Sequence, residues 1–340
     1  MVLIVRHHDE NGVSKMKAKM LWFGFIVVTL NLLYCLTERE TRTMAQSIQE
    51  MQRNGILISK HIDVRSLGLN EEDMLSLVYG EEDIPGFKCE PPSPYAENHT
   101  VIYLDAYGAY SKILRWWVAI GEGDRRPKIL IQCSVFSSER IAKRALEASP
   151  LESAPMFRRG SYSGLPLGDE CLRNPPFNTL LFTVGRTFVI VQVPGSPEAD
   201  GLFAEALAVG IECFIRLHPK RLAGALNPLT VLISDQPVTQ GKAVSLAGVS
   251  IAPISALEPA QVSIKENRTS KEWTVTASRN GHWVKVKAFS WDMETDKGKV
   301  KLERPVFPYK GELIVPLRQV AEALGIKVQQ KGQTIALLPK

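Results

Sequence analysis

The chain has 340 residues, 45% of them hydrophobic, and a formal net charge of +5. Its moderate charge and near-average glycine and proline content exclude a disordered or fibrous chain and leave room for two or three globular domains. Lysine and arginine are scattered among acidic residues, with no basic stripe carrying interleaved aromatics, so nucleic acid is not an expected partner.

Met20 to Leu36 is an almost wholly apolar run of about 17 residues, near the lower limit for spanning a bilayer. Lys15, Lys17 and Lys19 precede it and the mixed Glu38-Arg39-Glu40 follows. That asymmetry predicts a cytoplasmic segment over 1–19, a transmembrane anchor or signal segment over 20–36, and the bulk of the chain outside the cytoplasm. Met16 is an alternative start, and it would leave a short lysine-bearing segment like a signal-peptide n-region. No Ala-x-Ala cleavage site follows, which favours an uncleaved anchor over a secreted product. Tyr34 is bulky where a lipoprotein box ending at Cys35 needs a small residue, which argues against lipidation.

Residues 37–94 are expected to form a polar helix and a linker. Met44, Ile48 and Met51 lie on one side of the helix, and Asn54-Gly55 stops it. Asn70 reads as the N-cap of a further short helix, with Glu71, Glu72 and Asp73 in its first turn. Glu90-Pro-Pro-Ser-Pro94 is a stiff linker.

An α+β domain is expected over 95–227. Val101–Leu104, Trp116–Ile120 and Lys128–Phe136 read as strands, and Ser137 caps a helix whose Ile141, Ala142, Ala145 and Leu146 share a face. Thr179–Val184 and Thr187–Val193 form a hairpin around Gly185-Arg186. Ser196-Pro197 opens a second helix, with Leu202, Phe203, Ala206, Leu207, Gly210, Ile211 and Phe214 as its buried stripe. The strands are apolar almost throughout, so helices should cover at least one face of the sheet. Gly168-Asp-Glu170 ahead of a strand hairpin and a helix resembles a loose group of exported bacterial domains of unassigned function, and that likeness carries over no active residue.

In the last hundred residues, Gly311-Glu-Leu-Ile-Val-Pro316 is a strand that runs into a helix with Leu317, Val320, Ala321 and Leu324 at helical spacing. Gly325 stands at the left-handed C′ position, and two short strands follow. Upstream, Gly248-Val-Ser-Ile-Ala-Pro253-Ile-Ser-Ala-Leu257 matches Gly311–Val320 in its glycine, proline and apolar positions, which reads as a degenerate copy. Pro259 should limit the copy's helix to a single turn. The pattern around Val315-Pro316-Leu317-Arg318 resembles the bacterial copper amine oxidase N-terminal domain, here in two tandem repeats, about 241–290 and 300–340. The resemblance implies a non-catalytic domain of exported and surface proteins. Gly311, Pro316, Leu317, Val320, Leu324 and Gly325 are its structural motif.

Chemistry finds little support. Amine oxidase catalysis needs an Asn-Tyr-[Asp/Glu] cofactor sequence and three histidine ligands. No such tripeptide is present, and His61, His99, His218 and His282 are scattered without ligand spacing. Gly160-Ser-Tyr-Ser-Gly164 has Tyr162 where a nucleophile elbow has serine. Asp169 and Glu170 are adjacent, so on a strand they point to opposite faces rather than into one site. No catalytic, cofactor-binding or metal residue is assigned. Cys89, Cys133, Cys171 and Cys213 permit two disulfides in an exported chain, in three pairings, and equally fit four free thiols acting as small apolar residues.

The expected fold is thus α+β: a membrane helix, a middle domain over 95–227 with its sheet covered by helices, and over 241–340 a pair of small β-rich modules each with one short helix. The expected function is a non-enzymatic structural or interaction role at the bacterial cell envelope, with the membrane and cell-wall or envelope components as partners and no cofactor. The alternative is an envelope enzyme, or a protein binding a small ligand or lipid, with its site in the middle domain.

Overall fold

The computed structural model describes residues 69–338 except for 90–100, 106–107, 121–127, 148–156, 194–196, 234–235 and 238–242. The apolar run at 20–36, the polar helix expected after it and the proline-rich linker lie outside the described residues. No helix among those described is long and apolar enough to cross a membrane. The architecture is α+β and rich in strands.

Helix α1 (Glu71–Leu75) starts at Asn70 through a reciprocal capping box. Asn70 Oδ1 accepts from the Asp73 amide at 2.7 Å, and Asp73 Oδ2 accepts from the Asn70 amide at 2.9 Å. The segment around it is threaded into the core, with Leu69, Met74, Leu77, Tyr79 and Ile84 all buried. It ends in β1 (Phe87–Cys89).

The first sheet also contains β2 (Val101–Asp105), β3 (Gly108–Ala119), β4 (Lys128–Phe136), β5 (Arg158–Arg159), β6 (Glu170–Asn174), β7 (Thr179–Val184) and β8 (Thr187–Gln192). Its order is β1-β3-β4-β8-β7-β6-β5, with β2 also on β3. Strand β3 extends well before the expected Trp116, because Ile113 and Trp117 continue one buried face. Both faces of this sheet are covered. Leu172, Leu181 and Phe188 pack with Ala142 and Leu146 of α2 (Glu139–Glu147), while Leu180, Phe182, Val189 and Val191 face the main core and α3 (Pro197–Arg216).

Helix α3 is buried all round from Ala204 to Ile215, not along a single stripe. The reason is that it has a second partner. Beyond it lies a sheet made from β9 (Asn227–Ile233), β10 (Gln236–Pro237), β11 (Ala243–Leu246), β12 (Val249–Pro253), β18 (Phe307–Tyr309), β19 (Glu312–Pro316), β20 (Lys327–Lys331) and β21 (Thr334–Leu338). The order is β18-β19-β12-β11-β9-β21-β20, and β21 runs parallel to β9. A five-stranded meander completes the fold: β13 (Ser263–Arg268), β14 (Trp273–Arg279), β15 (His282–Lys287), β16 (Asp292–Thr295) and β17 (Gly298–Lys301).

The main hydrophobic core runs from Leu69 to Leu337 through all three sheets. At its centre Tyr79 meets Phe214 edge-on at 5.0 Å and Phe289 at 5.2 Å, and Phe214 stacks on Tyr309 at 5.3 Å. Gly210 is what lets Tyr79 in. A Cβ there would stand 1.9 Å from the Tyr79 hydroxyl, which donates to the Leu207 carbonyl at 3.0 Å.

The two segments with matching sequence have matching element order: a tight hairpin, a strand ending in proline, a helical turn and two strands. The hairpins turn at Ala247-Gly248 and Lys310-Gly311, all four residues having positive φ. The first helical piece, Ile254–Ala260, is a 3₁₀ helix longer than the single turn expected. Burial of Ile254, Ala256, Leu257 and Ala260 offsets the one hydrogen bond that Pro259 removes. The second piece is α4 (Leu317–Ala323), which ends in a Schellman motif: the Ile326 amide bonds to the Ala321 carbonyl, the Gly325 amide to Glu322, and Gly325 has φ of 73°. Strands β12 and β19 pair as Ile251↔Pro316, Ala252↔Val315 and Pro253↔Ile314. Shifting by the spacing between Gly248 and Gly311 turns each of these pairs into another, so the pairing has local two-fold symmetry about Ala252 and Val315.

Candidate functional site

Two concave regions among the described residues have acidic side chains in their lining. The first lies under the loop 159–172, a cavity of about 350 Å³ lined by Arg159, Ser161, Glu170 and Cys171 among others. The loop is fixed from below by Glu205 of α3, a carboxylate with no solvent exposure. The Ser163 amide donates to Glu205 Oε2 at 2.7 Å, and the Ser163 hydroxyl donates to Oε1. Buried Arg304 reaches across from the strand-rich half and donates to the Pro166 carbonyl at 2.9 Å. Burial pushes its guanidinium below its ordinary value, while Glu212 and Glu205 act in the opposite direction. Arg216 holds Glu212 at 2.9 Å and Asp169 at 3.0 Å.

This is an arrangement for holding a loop. Asp169 Oδ2 accepts from the Gly185 amide at 2.6 Å and Glu170 pairs with Lys143, so the adjacent carboxylates serve different partners. Burial pushes the Cys171 thiol up to about 12, which leaves negligible thiolate at neutral pH. Ser163 has a carboxylate neighbour and, among the described residues, no imidazole beside it. None of these side chains is an activated nucleophile.

The second pocket, of about 530 Å³, lies between α1, the end of α3 and the β18–β19 turn. Phe214 and Tyr309 line it, with Glu72, Asp73, Asp83, His218 and Lys310. His218 Nδ1 accepts from the Lys220 amide at 3.1 Å, so the neutral ring carries its proton on Nε2, 3.8 Å from Asp73 Oδ1. In that tautomer no imidazole lone pair faces the pocket. Its histidine is not placed as a general base.

Burial lowers the pKa of His218, the dominant effect. Asp73 opposes it, and Lys220 and Arg186 add to it. The folded protein therefore holds the ring neutral where an unfolded chain takes up a proton near pH 6.5. Its contribution to stability is complete above that pH and is lost as pH falls toward the lower folded value. The melting temperature is expected to fall between pH 7.5 and 5.5, and His218→Gln to flatten that fall. Equal slopes in both proteins would count against the assignment.

Of the structural motif, only the Gly311 turn adjoins either region, next to Lys310 of the second pocket. Leu317, Val320 and Leu324 have no solvent exposure and share the core with Ile314 and Ile335. Pro316 is the N-cap of α4, and Gly311, with φ of 80°, turns the β18–β19 hairpin. Cys133, Cys171 and Cys213 are free thiols, so none of the three disulfide pairings is present; Cys89 is buried on β1 opposite Trp117. Burial raises the pKa of Cys133 and Cys213 as well. His61 and His99 lie outside the described residues, and no cluster of three metal-ligating side chains occurs among those described.

Sequence reasoning missed both polar clusters. His218 and Asp73 are far apart in the chain and carry no linear signal. Glu205 had one: an acid inside the apolar run Leu202 to Val209 must find a buried partner.

With this geometry in place, comparison with known proteins bears on the strand-rich half. Residues 242–338 match the family model of the copper amine oxidase N-terminal domain. No curated protein and no solved structure matches the chain. The copper amine oxidase N-terminal segment contains a single histidine, His282, whose Nδ1 lies 2.9 Å from Asp296. It contains the two-fold β12–β19 pairing and the whole meander. Its residues line the second pocket only through Tyr309 and Lys310.

Proposed function

We propose that this chain is an extracytoplasmic protein held at the membrane by residues 20–36, with a structural or interaction role in the cell envelope and no reaction of its own. The observation that carries the reading is the way the copper amine oxidase N-terminal segment is built into the rest. Tyr79, Phe214, Phe289 and Tyr309 join the halves in one aromatic cluster. Trp291 Nε1 donates to the Leu202 carbonyl at 2.9 Å. Such a body is suited to presenting surfaces rigidly, and its best pockets lack an activated nucleophile. We further read the segments beginning at Gly248 and Gly311 as two copies of one unit. The shared turn geometry and the two-fold register of β12 and β19 support that reading.

Topology is the test. A reporter active only outside the cytoplasm, fused after Lys340, is expected to be active, because Lys15, Lys17 and Lys19 precede the apolar run. Activity of a cytoplasm-only reporter at the same place would overturn the reading. A second reading, a small-ligand carrier, is favoured by the 530 Å³ pocket, whose aromatic floor and acidic rim suit a cationic organic molecule.

A further inference from the structure

The meander has two unlike faces. Val275, Ala277, Val284, Val286 and Met293 point into the core and are at most 3% exposed. The other face is open to solvent. Cross-strand partners in an antiparallel sheet share a face, so the register places Lys265, Thr276, Lys285, Glu294 and Lys299 in one row across all five strands. The next rows on the same face add Lys287, Lys301 and Asp292, and the line Ser263, Ser278 and Trp283. Trp283 is 38% exposed, an aromatic ring left in water beside hydroxyl and ammonium groups.

We propose that this face binds an acidic glycan that carries its charge on alternate sugars. The argument is charge complementarity with a spacing. Neighbouring strands lie about 4.8 Å apart, so lysines on the first, third and fifth strands stand about 10 Å from one another. Lys287 is engaged by Glu272 at 3.5 Å and Lys299 by Asp292 at 2.9 Å, while Lys265 and Lys285 make no ion pair among the described residues. The hydroxyls of Thr276, Ser278 and Ser263 suit sugar hydroxyls, and Trp283 offers the flat surface on which a pyranose ring packs. A nucleic-acid strand fits less well. It carries a charge about every 3.4 Å, which would set phosphates against Glu294, and it calls for successive stacking aromatics where this face has Trp283.

The proposal rests on the envelope reading for where such a polymer is met, and the test separates the two. Full-length chain in detergent micelles is passed over immobilised hyaluronate, which has one carboxylate per disaccharide, and over neutral dextran. Binding to hyaluronate alone is expected, weakening as salt rises. The double variant Lys265→Gln/Lys285→Gln should weaken it about fivefold with an unchanged melting temperature, and Trp283→Ala should weaken it at every salt concentration. No binding to hyaluronate, equal binding to dextran, full affinity in the double variant, or tighter binding to an oligothymidylate would each overturn it. Glycan binding with a cytoplasmic C-terminal reporter would leave the binding face intact and remove only the envelope reading.

Discussion

Replacing Arg304 by methionine should lower stability by about 3 kcal/mol or more, since taking one charge from a buried set leaves the others uncompensated. Arg304 is 1% exposed, donates to the Pro166 carbonyl, and lies in the field of Glu205 and Glu212. Methionine keeps most of the volume, so the loss reports charge and hydrogen bonding more than a cavity. On a unit of this size, the melting temperature should drop by about 6 °C or more. A double-mutant cycle isolates the cause. In a Glu205→Gln background the same substitution should cost less, with a coupling of at least about 0.5 kcal/mol. Strict additivity would mean that Arg304 acts through packing alone.

Leu324→Ala and Gly325→Val should each destabilise by a comparable amount for different reasons. Leu324 has no exposed surface, and removing a buried leucine side chain typically costs about 2–5 kcal/mol. Gly325 has φ of 73°, and a Cβ there would stand 3.1 Å from the His282 ring. Valine would thus combine a backbone conformation it avoids with a close contact. Lys327→Ala, at an exposed position on β20, should stay within about 0.5 kcal/mol of the parent. Thermal denaturation of the full chain is the appropriate assay, because an isolated 241–340 fragment would uncover Phe289, Trp291 and Phe307. Equal melting of all three variants would remove the basis for the strand–helix–strand motif.

Local features were legible in the sequence. Asn70 announces a cap, Pro197 a helix start, Gly325 a left-handed stop, and Lys128–Phe136 a strand, because each depends on a few neighbouring residues. The helix α3 shows where legibility ends. Its apolar stripe marks one buried face, but only the arrival of the loop 159–172, Arg304 and β18 around it explains why Glu205, Glu212 and Cys213 are buried too. Segment 69–89 reads as a short capped helix and little more, and its burial comes from contacts more than a hundred residues away, such as Tyr79 with Phe214. The His218–Asp73 pair and the lysine row across the meander were invisible for the same reason: strand register and helix packing place them, and neither is written in linear spacing.

The parallel pairing of β21 with β9 has a consequence for how the protein is made. Strand β9 has β11 on one side and β21 on the other, so its ladder stays half complete until residues 334–337 are available. Contacts this distant in sequence carry a high loop-closure cost and slow the search for the native state. A nascent chain that has passed residue 300 still lacks β18, the partner of α3, and must wait with an apolar helix uncovered. Loss of the chain from about residue 333 on, by a premature stop or a proteolytic cut, would leave β9 with a bare edge and strip β20 of its partner. Synthesis of β21 is therefore itself a checkpoint for this fold, and chains cut short of it should be cleared by proteases rather than accumulate.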